Sequence, residues 1–408
     1  MPLPSALVTR EFDRMWDELV PVGKAPSGGY RRFAWTRDDH TLREWFAGEC
    51  TCRGLDLTTD RMGNQWAWWG DPDAVPGQGL VIGSHLDSVP DGGAYDGPLG
   101  VLSAFAVVDA LREKGITPSR PLAVVNFVDE EGARFGVACA GSRVITGALD
   151  ADRARGLVDS EGLTMAEALA AAGRSAEDLG RDDETLRRIG CYVELHVEQG
   201  RAMADLDPDT SAVAIGTDIW PHGRWRLDLP GVANHAGTTR LVDRSDATLL
   251  AAELVLAARA EAMRHRTVAT VGKLRLEPGG VNAIASHATA WLDARGPVEE
   301  DVRATVSALS DETAQHGGTV TEESWTGTTP FDEGLIGRLR GILGAEVPLL
   351  GTGAGHDAGI LSNVGIPTAM LFVRNPTGVS HSPAEFAEQD DCHRGVSALT
   401  DVVEGLLS

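Results

Sequence analysis

The sequence is poor in positive charge and has no long hydrophobic run. Acidic residues outnumber basic residues by 60 to 36, which gives a formal net charge of -24 at pH 7. Such a charge repels nucleic-acid phosphates and anionic lipid headgroups. No stretch approaches the ~18 to 20 consecutive apolar residues that a helix needs to span a bilayer. We therefore expect neither nucleic acid nor a membrane as a partner.

Cysteine is also scarce. The five cysteines are odd in number and scattered along the chain: Cys50, Cys52, Cys139, Cys191 and Cys392. A disulfide framework is not expected from this pattern. The C-x-C pair at 50 and 52 has no second cysteine pair to complete a zinc site. Because residues 1–20 also lack the apolar stretch of a secretory signal, we expect reduced thiols and a cytoplasmic location.

The first half of the chain alternates between strand-like and helix-like segments. Residues 79–85 and 121–131 have the apolar character of buried strands, and residues 98–114 between them have helical length and spacing. This order predicts a parallel sheet with helices on both faces. Residues 191–198 alternate, with Glu194, His196 and Glu198 on one face. A polar face is unusual on a buried strand, so we expect these side chains to have a function.

The pattern of predicted strands and helices changes near residue 213. Strand-like segments bracket a long amphipathic helix at 245–263; they are 224–233, 267–277 and 288–295. Residues 351–373 return to strand and loop character and should rejoin the first sheet. We therefore predict an α/β protein with two domains. The larger, 1–212 and 329–408, has a mainly parallel central sheet flanked by helices, and the smaller is an α/β sandwich inserted at 213–328.

Two polar residues follow the first predicted strand. His85 ends that strand, and Asp87, two residues on, projects to the same side of an extended backbone. A lone histidine at a strand end is more often a satisfied polar residue than a ligand. Asp96 follows in a glycine-rich loop that opens into the helix. That loop lacks the G-x-x-x-x-G-K-[ST] pattern of a phosphate-binding loop.

Three adjacent carboxylates, Asp129, Glu130 and Glu131, end the next predicted strand. They repel one another unless cations or raised pKa values relieve them, although a solvated acidic turn is an equally good interpretation by itself. His196 and His381 add imidazoles that the loops of one sheet edge can bring to the same place. Histidine and carboxylate side chains suit divalent metals, and five ligands with one shared carboxylate suit two of them.

Seven segments, in order, resemble one known group of enzymes. They are GSHLDS (83–88), YDGPLG (95–100), VDEEGARFG (128–136), ELHVEQG (194–200), ANHAGTT (233–239), GAGHDA (353–358) and HSPAE (381–385). They are similar to segments of the allantoate amidohydrolase, N-carbamoyl-L-amino-acid hydrolase and β-ureidopropionase group of the co-catalytic metallopeptidase and aminoacylase superfamily. The resemblance runs from about residue 75 onward. It implies that the larger domain is catalytic and that the insert is a lid and dimerisation domain.

The resemblance also implies a metal centre with two divalent ions per subunit. Zinc is favoured, with manganese, cobalt or nickel as alternatives. The implied ligands are His85 and His196 for one metal, Glu131 and His381 for the other, and Asp96 as the bridge. Glu130 would act as general base and acid, and Asp87 would orient His85. Peptidase members typically carry an aspartate in place of His196, so the histidine favours the carbamoyl-cleaving branch.

Further positions match substrate-binding residues of the group. The resemblance implies that Gln199 binds the ureido group, that Asn282 and Arg295 hold the substrate carboxylate, and that Gly353 and Gly355 flank a loop that closes over the substrate. His235 would stabilise the oxyanion, often in the site of a partner subunit. Without the resemblance, His235 would be interpreted as a turn residue capped by Asn234. Arg295 would be interpreted as a solvated charge at a strand end. His222 and Arg224 either contribute to specificity or cap a strand.

The expected function is metal-dependent hydrolysis of the carbamoyl (ureido) C–N bond of allantoate or an N-carbamoyl-L-amino acid, with release of ammonia and carbon dioxide. The expected partners are a small anionic ureido substrate and a second copy of the chain, bound through the inserted domain. Two alternatives remain open. One is an N-acyl-amino-acid deacylase or peptidase of the same superfamily. The other is a catalytically silent binding homologue.

Overall fold

The computed structural model describes residues 2–75, 77–207 and 210–408. The chain divides into two compact units. The larger unit comprises Met1–Thr217, Pro330–Leu350 and Gly355–Ser408, and the smaller unit comprises Asp218–Thr329 and Gly351–Ala354. The predicted domain boundaries at 213 and 328 stay a prediction, since a unit of packing is not by itself a folding domain. Among the described residues, no helix is long and apolar enough to cross a membrane.

The helices and strands alternate along most of the chain. The α-helices are α1 (Ala6–Leu19), α2 (Arg37–Cys52), α3 (Pro98–Glu113), α4 (Ala140–Thr146), α5 (Ala151–Arg155), α6 (Met165–Ala171), α7 (Asp183–Leu186), α8 (Ala247–His265), α9 (Glu299–Gln315), α10 (Glu333–Leu343), α11 (Asp357–Asn363) and α12 (Gln389–Leu407). Short 3₁₀ turns lie at Ala176–Asp178 and Leu241–Asp243. The strands are β1 (Asp56–Thr59), β2 (Gln65–Trp69), β3 (Gly79–His85), β4 (Leu122–Phe127), β5 (Ile189–Val197), β6 (Val213–Ile219), β7 (His222–Pro230), β8 (Asn234–His235), β9 (Val268–Glu277), β10 (Ala283–Ile284), β11 (His287–Arg295), β12 (Thr319–Thr326), β13 (Thr329–Pro330), β14 (Leu349–Thr352) and β15 (Thr368–Val373).

The larger unit is built on a sheet with the strand order β1-β2-β4-β3-β5-β15-β6. Its four central strands, β4, β3, β5 and β15, pair in parallel, whereas β2 joins β4 and β6 joins β15 antiparallel. The predicted mainly parallel central sheet is confirmed. The antiparallel strands lie outside the four parallel ones, and β1 and β2, which are close in sequence, pair as a hairpin.

The central strands are buried along nearly their whole length. Every residue of β3, β4 and β15 is buried, as is nearly all of α3, whose Val101, Leu102 and Phe105 are fully enclosed. Burial on both faces explains why these segments read as continuous apolar runs. The carboxyl ends of β3, β4, β5 and β15 lie at one edge of the sheet because the strands are parallel. Ligand sites of open α/β sheets form at this edge.

The chain leaves the predicted strand 121–131 earlier than expected. β4 ends at Phe127, and Asp129 adopts a left-handed backbone with φ of 53°. An L-residue with this φ cannot continue a strand. The three carboxylates 129–131 therefore occupy a turn beyond the sheet edge. Trp66 and Trp68 are buried in β2, next to β4.

The smaller unit is an antiparallel sheet with the order β12-β7-β11-β9, and its core includes residues of α8 and α9. The core residues of the sheet alternate along β7 and β11, as in Trp225, Leu227 and Leu229. The predicted α/β sandwich is confirmed. The sequence analysis missed α9 and β12. β12 is a largely exposed edge strand with an irregular register between Glu322 and Ser324, so its pattern is weak.

Candidate metal centre and active site

The five predicted metal ligands meet at the carboxyl edge of the larger unit's sheet. His85 is the last residue of β3, and His196 is the next-to-last residue of β5. Asp96 lies in the loop before α3, Glu131 in the turn after β4, and His381 in the loop after β15. These residues are up to 296 positions apart in the sequence, from 85 to 381. The parallel topology brings them together.

Asp96 stands between two groups of side chains. Its Oδ1 lies 3.1 Å from His196 Nε2 and 3.6 Å from His85 Nε2. Its Oδ2 lies 3.4 Å from His381 Nε2, which is 3.6 Å from Glu131 Oε2. Within each group, the possible ligand atoms lie within 4.8 Å of one another. One carboxylate therefore faces two donor sets through its two oxygens.

The two buried histidines present the same nitrogen to Asp96. His85 Nδ1 is 3.2 Å from the carbonyl oxygen of Asp87, and His196 Nδ1 is 2.9 Å from that of Val197. A carbonyl oxygen only accepts, so each Nδ1 carries the proton and donates it. Neither buried Nε2 has a hydrogen-bond partner among the described residues. A histidine whose Nδ1 is bound to a carbonyl oxygen offers Nε2 to a metal, which is the usual arrangement of a metal-binding histidine.

The carboxylates at this edge of the sheet are largely buried. Burial, reinforced by the charge of Asp96, raises the pKa of Glu131 to about 7. Burial lowers the pKa of His85, but the facing carboxylates of Glu130, Asp87 and Asp96 outweigh it and raise that pKa well above its usual value. The site thus concentrates negative charge that nearby cations would relieve. Imidazole nitrogens and carboxylate oxygens in this arrangement fit divalent cations such as zinc or manganese.

Glu130 is adjacent to both donor sets and belongs to neither. Its Oε2 lies 3.7 Å from His85 Nε2, and its Oε1 accepts a hydrogen bond from the thiol of Cys139 at 3.3 Å. Burial raises the pKa of Glu130 well above its usual value, against the charge of His85. A carboxyl group with a raised pKa, close to a cation site, is suited to taking up and releasing a proton.

Asp87 anchors the turn that carries these glutamates. Its Oδ1 accepts from the backbone N–H of Glu130 at 3.2 Å, and its Oδ2 accepts from that of Glu131 at 3.0 Å. The sequence analysis expected this carboxylate to orient His85. Asp87 Oδ1 lies 3.4 Å from His85 Nδ1, and the same nitrogen lies 3.2 Å from the backbone oxygen of Asp87. Asp87 therefore connects the end of β3 to the turn after β4.

Gln199 lies beside the bridging carboxylate. Its Nε2 donates to Asp96 Oδ2 at 2.8 Å and to Ser380 Oγ at 3.2 Å. Its Oε1 is buried without a hydrogen-bond partner among the described residues. The amide thus has an acceptor oxygen available to an N–H group of a bound molecule.

Gly97 permits the close packing of His85. It has a φ of 85°, and a Cβ at this position would lie 2.4 Å from His85 Cε1 and 2.5 Å from Nδ1. Real Cβ atoms do not approach this closely. Only glycine therefore allows the loop that carries Asp96 to pass over the imidazole ring.

Six of the predicted residues lie in the smaller unit. His235 is exposed in β8, where its Nδ1 accepts from the backbone N–H of Gly237 at 3.0 Å. Asn234 Oδ1 accepts from the His235 N–H at 2.8 Å, which is the expected local cap. Asn282 is exposed next to β10, which pairs with β8. His235 and Asn282 are therefore close to each other in a small two-stranded sheet.

The other four of these residues lie where β7 begins and β11 ends. Arg295 Nε and Nη2 donate to the two carboxylate oxygens of Asp293 at 2.6 and 2.9 Å, and Nη1 donates to the Gly353 oxygen at 2.8 Å. Arg224 Nε is 3.5 Å from Asp293. His222 begins β7, and its Nδ1 is 2.9 Å from the oxygen of Trp220. This group is a cation-rich cluster around one carboxylate.

The backbone conformation at Gly353 and Gly355 does not require glycine. Neither Gly353 nor Gly355 has a positive φ, so conformational freedom does not explain them. A Cβ at Gly353 would lie 3.1 Å from the ring of Trp220, which makes close approach the physical reason for that glycine. Nothing lies within 4 Å of a Cβ built on Gly355. Gly355 belongs to the larger unit.

Three buried polar residues were not among the predicted site residues: Glu194, His356 and Asp357. Glu194, His196 and His356 form a further group whose possible ligand atoms lie within 4.8 Å of one another. Glu194 accepts from Ser84 Oγ at 2.7 Å, and both ring nitrogens of His356 lack partners among the described residues. Burial, with the charge of Glu194, raises the pKa of Asp357 to about 8. Two signals were available: the polar alternation of β5, and the H-D pair in GAGHDA.

Comparison with known proteins places this geometry in a family. The model of peptidase family M20/M25/M40 matches residues 70–405. The chain is 35% identical to the N-carbamoyl-L-amino acid amidohydrolase of Geobacillus stearothermophilus, over 96% of this chain and 97% of that protein. It is 31% identical to the ureidoglycolate hydrolase of Arabidopsis thaliana, over 94% and 83%.

The chain is also similar to a solved structure. The crystal structure of a hydantoinase/carbamoylase family amidase from Burkholderia ambifaria matches with a TM-score of 0.81 and 33% sequence identity, over 98% of each chain. The resemblance drawn from the seven sequence segments is confirmed. The chain belongs to peptidase family M20/M25/M40 and, within it, to the amidohydrolases that these relatives represent.

Proposed function

We propose that the chain is a metal-dependent amidohydrolase that cleaves the carbamoyl C–N bond of an N-carbamoyl-L-amino acid or of allantoate, releasing ammonia and carbon dioxide. The observation that carries the proposal is Asp96, whose two oxygens face two separate donor sets beside Glu130. The N-carbamoyl amino acid is the preferred substrate class, because several similar relatives are named as amidohydrolases of such compounds. Allantoate carries the same ureido group.

Two divalent ions per subunit are proposed, with zinc favoured and manganese, cobalt or nickel as alternatives. His85 and His196 would hold one ion, Glu131 and His381 the other, and Asp96 would bridge them. The unpartnered Nε2 atoms of the two buried histidines support this assignment. When bound, such a pair of cations lowers the pKa of water and polarises a substrate carbonyl.

Glu130 would supply the proton transfers. In the proposed reaction its carboxylate takes a proton from the attacking water and then delivers it to the leaving nitrogen. The Cys139 thiol holds Oε1, which leaves Oε2 toward the donor sets. Gln199 Oε1 would accept from an N–H of the ureido group.

Residues of the smaller unit would bind the rest of the substrate. Because Gly237 donates to His235 Nδ1, the neutral ring of His235 carries its proton on Nε2 and can donate it to an oxyanion. Arg295 retains two N–H groups, since three of its five are used. With Asn282, it would hold the substrate carboxylate. Gly353, whose carbonyl oxygen accepts a hydrogen bond from Arg295, would contribute backbone beside the bound carboxylate.

We further propose a homodimer formed through the smaller unit. Three large apolar residues, Leu249, Leu256 and Met263, are 60%, 67% and 72% exposed and recur every seven residues along α8. This spacing puts them on one stripe of the helix. The neighbouring edge strand β9 exposes Val268 and Leu274 as well. A second copy of the chain would cover this apolar surface.

The test is ammonia release by the metal-loaded protein and by its Glu130→Gln variant. Turnover of N-carbamoyl-L-amino acids or allantoate is expected, with the variant losing at least about 10²-fold in kcat while keeping its metal. Exchange of the exposed Glu161 for glutamine is the matched control and should change nothing. Cleavage of N-acetyl amino acids or dipeptides instead would favour the deacylase or peptidase alternative. An absence of turnover across all these compounds would contradict the proposal.

A further inference from the structure

A patch on the smaller unit's sheet holds a second guanidinium besides the one proposed to bind the substrate carboxylate. The β7–β11 register sets Arg295 opposite His222 and Asp293 opposite Arg224. Directly opposed residues of an antiparallel pair lie on the same face. The alternate residues, such as Trp225, are buried in the core with α8 and α9. The four polar residues therefore share the opposite face, and we name them the β7–β11 cluster.

Asp293 fixes the orientation of Arg295 in this cluster. The bidentate contact with Asp293 uses the N–H of Arg295 Nε and one N–H of Nη2. One N–H of Nη1 donates to the carbonyl oxygen of Gly353. One N–H thus remains on each of Nη1 and Nη2. The guanidinium is held in place with a pair of donors still available, which suits a carboxylate. Burial raises the pKa of Asp293, but the bonds from Arg295 outweigh it and lower that pKa, so Asp293 stays ionised.

Arg224 is a second guanidinium on the same carboxylate. Its Nε is 3.5 Å from Asp293 Oδ2, and its side chain is 67% exposed. Within the described parts of the chain, it has no side-chain hydrogen bond. Two guanidinium groups face one carboxylate, so the cluster carries one net positive charge on a protein whose net charge is -24, and no described residue uses the donors of Arg224 in a hydrogen bond. Such a local excess attracts anionic groups.

The geometry points to a substrate with two carboxylates. This inference rests on the proposed function, in which Arg295 binds the α-carboxylate. Arg224 then binds a second carboxylate on the substrate's side chain, as in an N-carbamoyl derivative of glutamate or aspartate. Arg224 is thus a specificity-determining residue, and a substrate with a neutral side chain lacks its partner. An amide is nearly isosteric with a carboxylate, so the preference comes from charge rather than from size.

The test compares N-carbamoyl-L-glutamate with N-carbamoyl-L-glutamine. The native protein should show a kcat/KM up to about fivefold higher for the glutamate compound, the size expected for an exposed charge pair. Arg224→Ala should bring the ratio to about one by raising KM for the glutamate compound alone, and Arg224→Lys should restore part of it. Arg226→Ala is the matched control, since Arg226 lies two residues further along the same strand and pairs with Asp228. Its ratio should stay native.

A ratio at or below one in the native protein, or a ratio that Arg224→Ala leaves unchanged, would overturn the inference. A binding measurement separates this outcome from a failure of the proposed function. The Glu130→Gln variant is titrated with both compounds by calorimetry. Tighter binding of the glutamate compound, lost when Arg224→Ala is added, supports the charge preference even where neither compound is hydrolysed. Equal binding of both compounds, or binding of neither, overturns it.

Discussion

The packing of Gly97 over His85 gives a prediction that separates backbone strain from damage to the metal centre. In Gly97→Ala, a methyl group would meet the imidazole at 2.4 to 2.6 Å, and the residue would keep a φ of 85°. The backbone at Gly97, with φ of 85° and ψ of -60°, lies outside the allowed regions of an L-residue and costs at least about 1–2 kcal/mol. Displacing a buried side chain adds about 1–3 kcal/mol. We expect a loss of stability of about 2–5 kcal/mol in total, together with a displaced His85 and a weaker metal site.

Gly115→Ala is the matched control for this variant. Gly115 follows α3 as Gly97 precedes it, has a φ of 70°, and nothing lies within 4 Å of a Cβ built on it. It should lose only the backbone term of about 1–2 kcal/mol and keep its metal and activity. The assay combines urea denaturation with metal analysis after dialysis. Equal metal content and equal activity in the two variants would refute the assignment of His85 as a ligand positioned by this contact.

Three further predictions address other parts of the account. Leu256→Asp puts a charge into the exposed stripe of α8 and should shift the protein from dimer to monomer in analytical ultracentrifugation; an unchanged sedimentation coefficient would argue against that interface. Asp293→Ala frees the Arg295 side chain and should raise KM for carboxylate substrates about fivefold with a smaller change in kcat, whereas a pure kcat effect would assign Asp293 another role. Cys139→Ala removes the hydrogen bond to Glu130 Oε1 and should lower kcat about fivefold, while Cys139→Ser, which keeps a donor, should retain most of it; identical losses in both variants would show that packing matters instead.

The central sheet could be predicted because its strands are buried on both faces. The predicted strand 79–85 has the bounds of β3, and the predicted helix 98–114 differs from α3 by one residue. Apolar runs of this length carry a strong signal. β12 and α9 could not be found in the same way. β12 is an exposed edge strand, and α9 buries only a narrow stripe that includes Val302 and Leu309.

The convergence of the polar residues was partly predictable for the same reason. Residues that follow parallel strands share one edge, so His85, Glu131 and His196 could be expected near each other from strand order alone. Their detailed contacts could not. The carboxylate of Asp87 binds two backbone N–H groups of the 130–131 turn, and that turn depends on the left-handed φ of Asp129. Backbone conformation of this kind leaves no mark in a hydrophobic pattern.

Metal stoichiometry tests the central claim most directly. Metal per chain should be measured by mass spectrometry in the native protein, in His196→Ala and in His381→Ala, after reconstitution with excess zinc or manganese and removal of unbound ion. The account predicts two ions in the native protein and about one in each variant, because the two histidines face opposite oxygens of Asp96. One ion or none in the native protein, or an unchanged content in both variants, would contradict it.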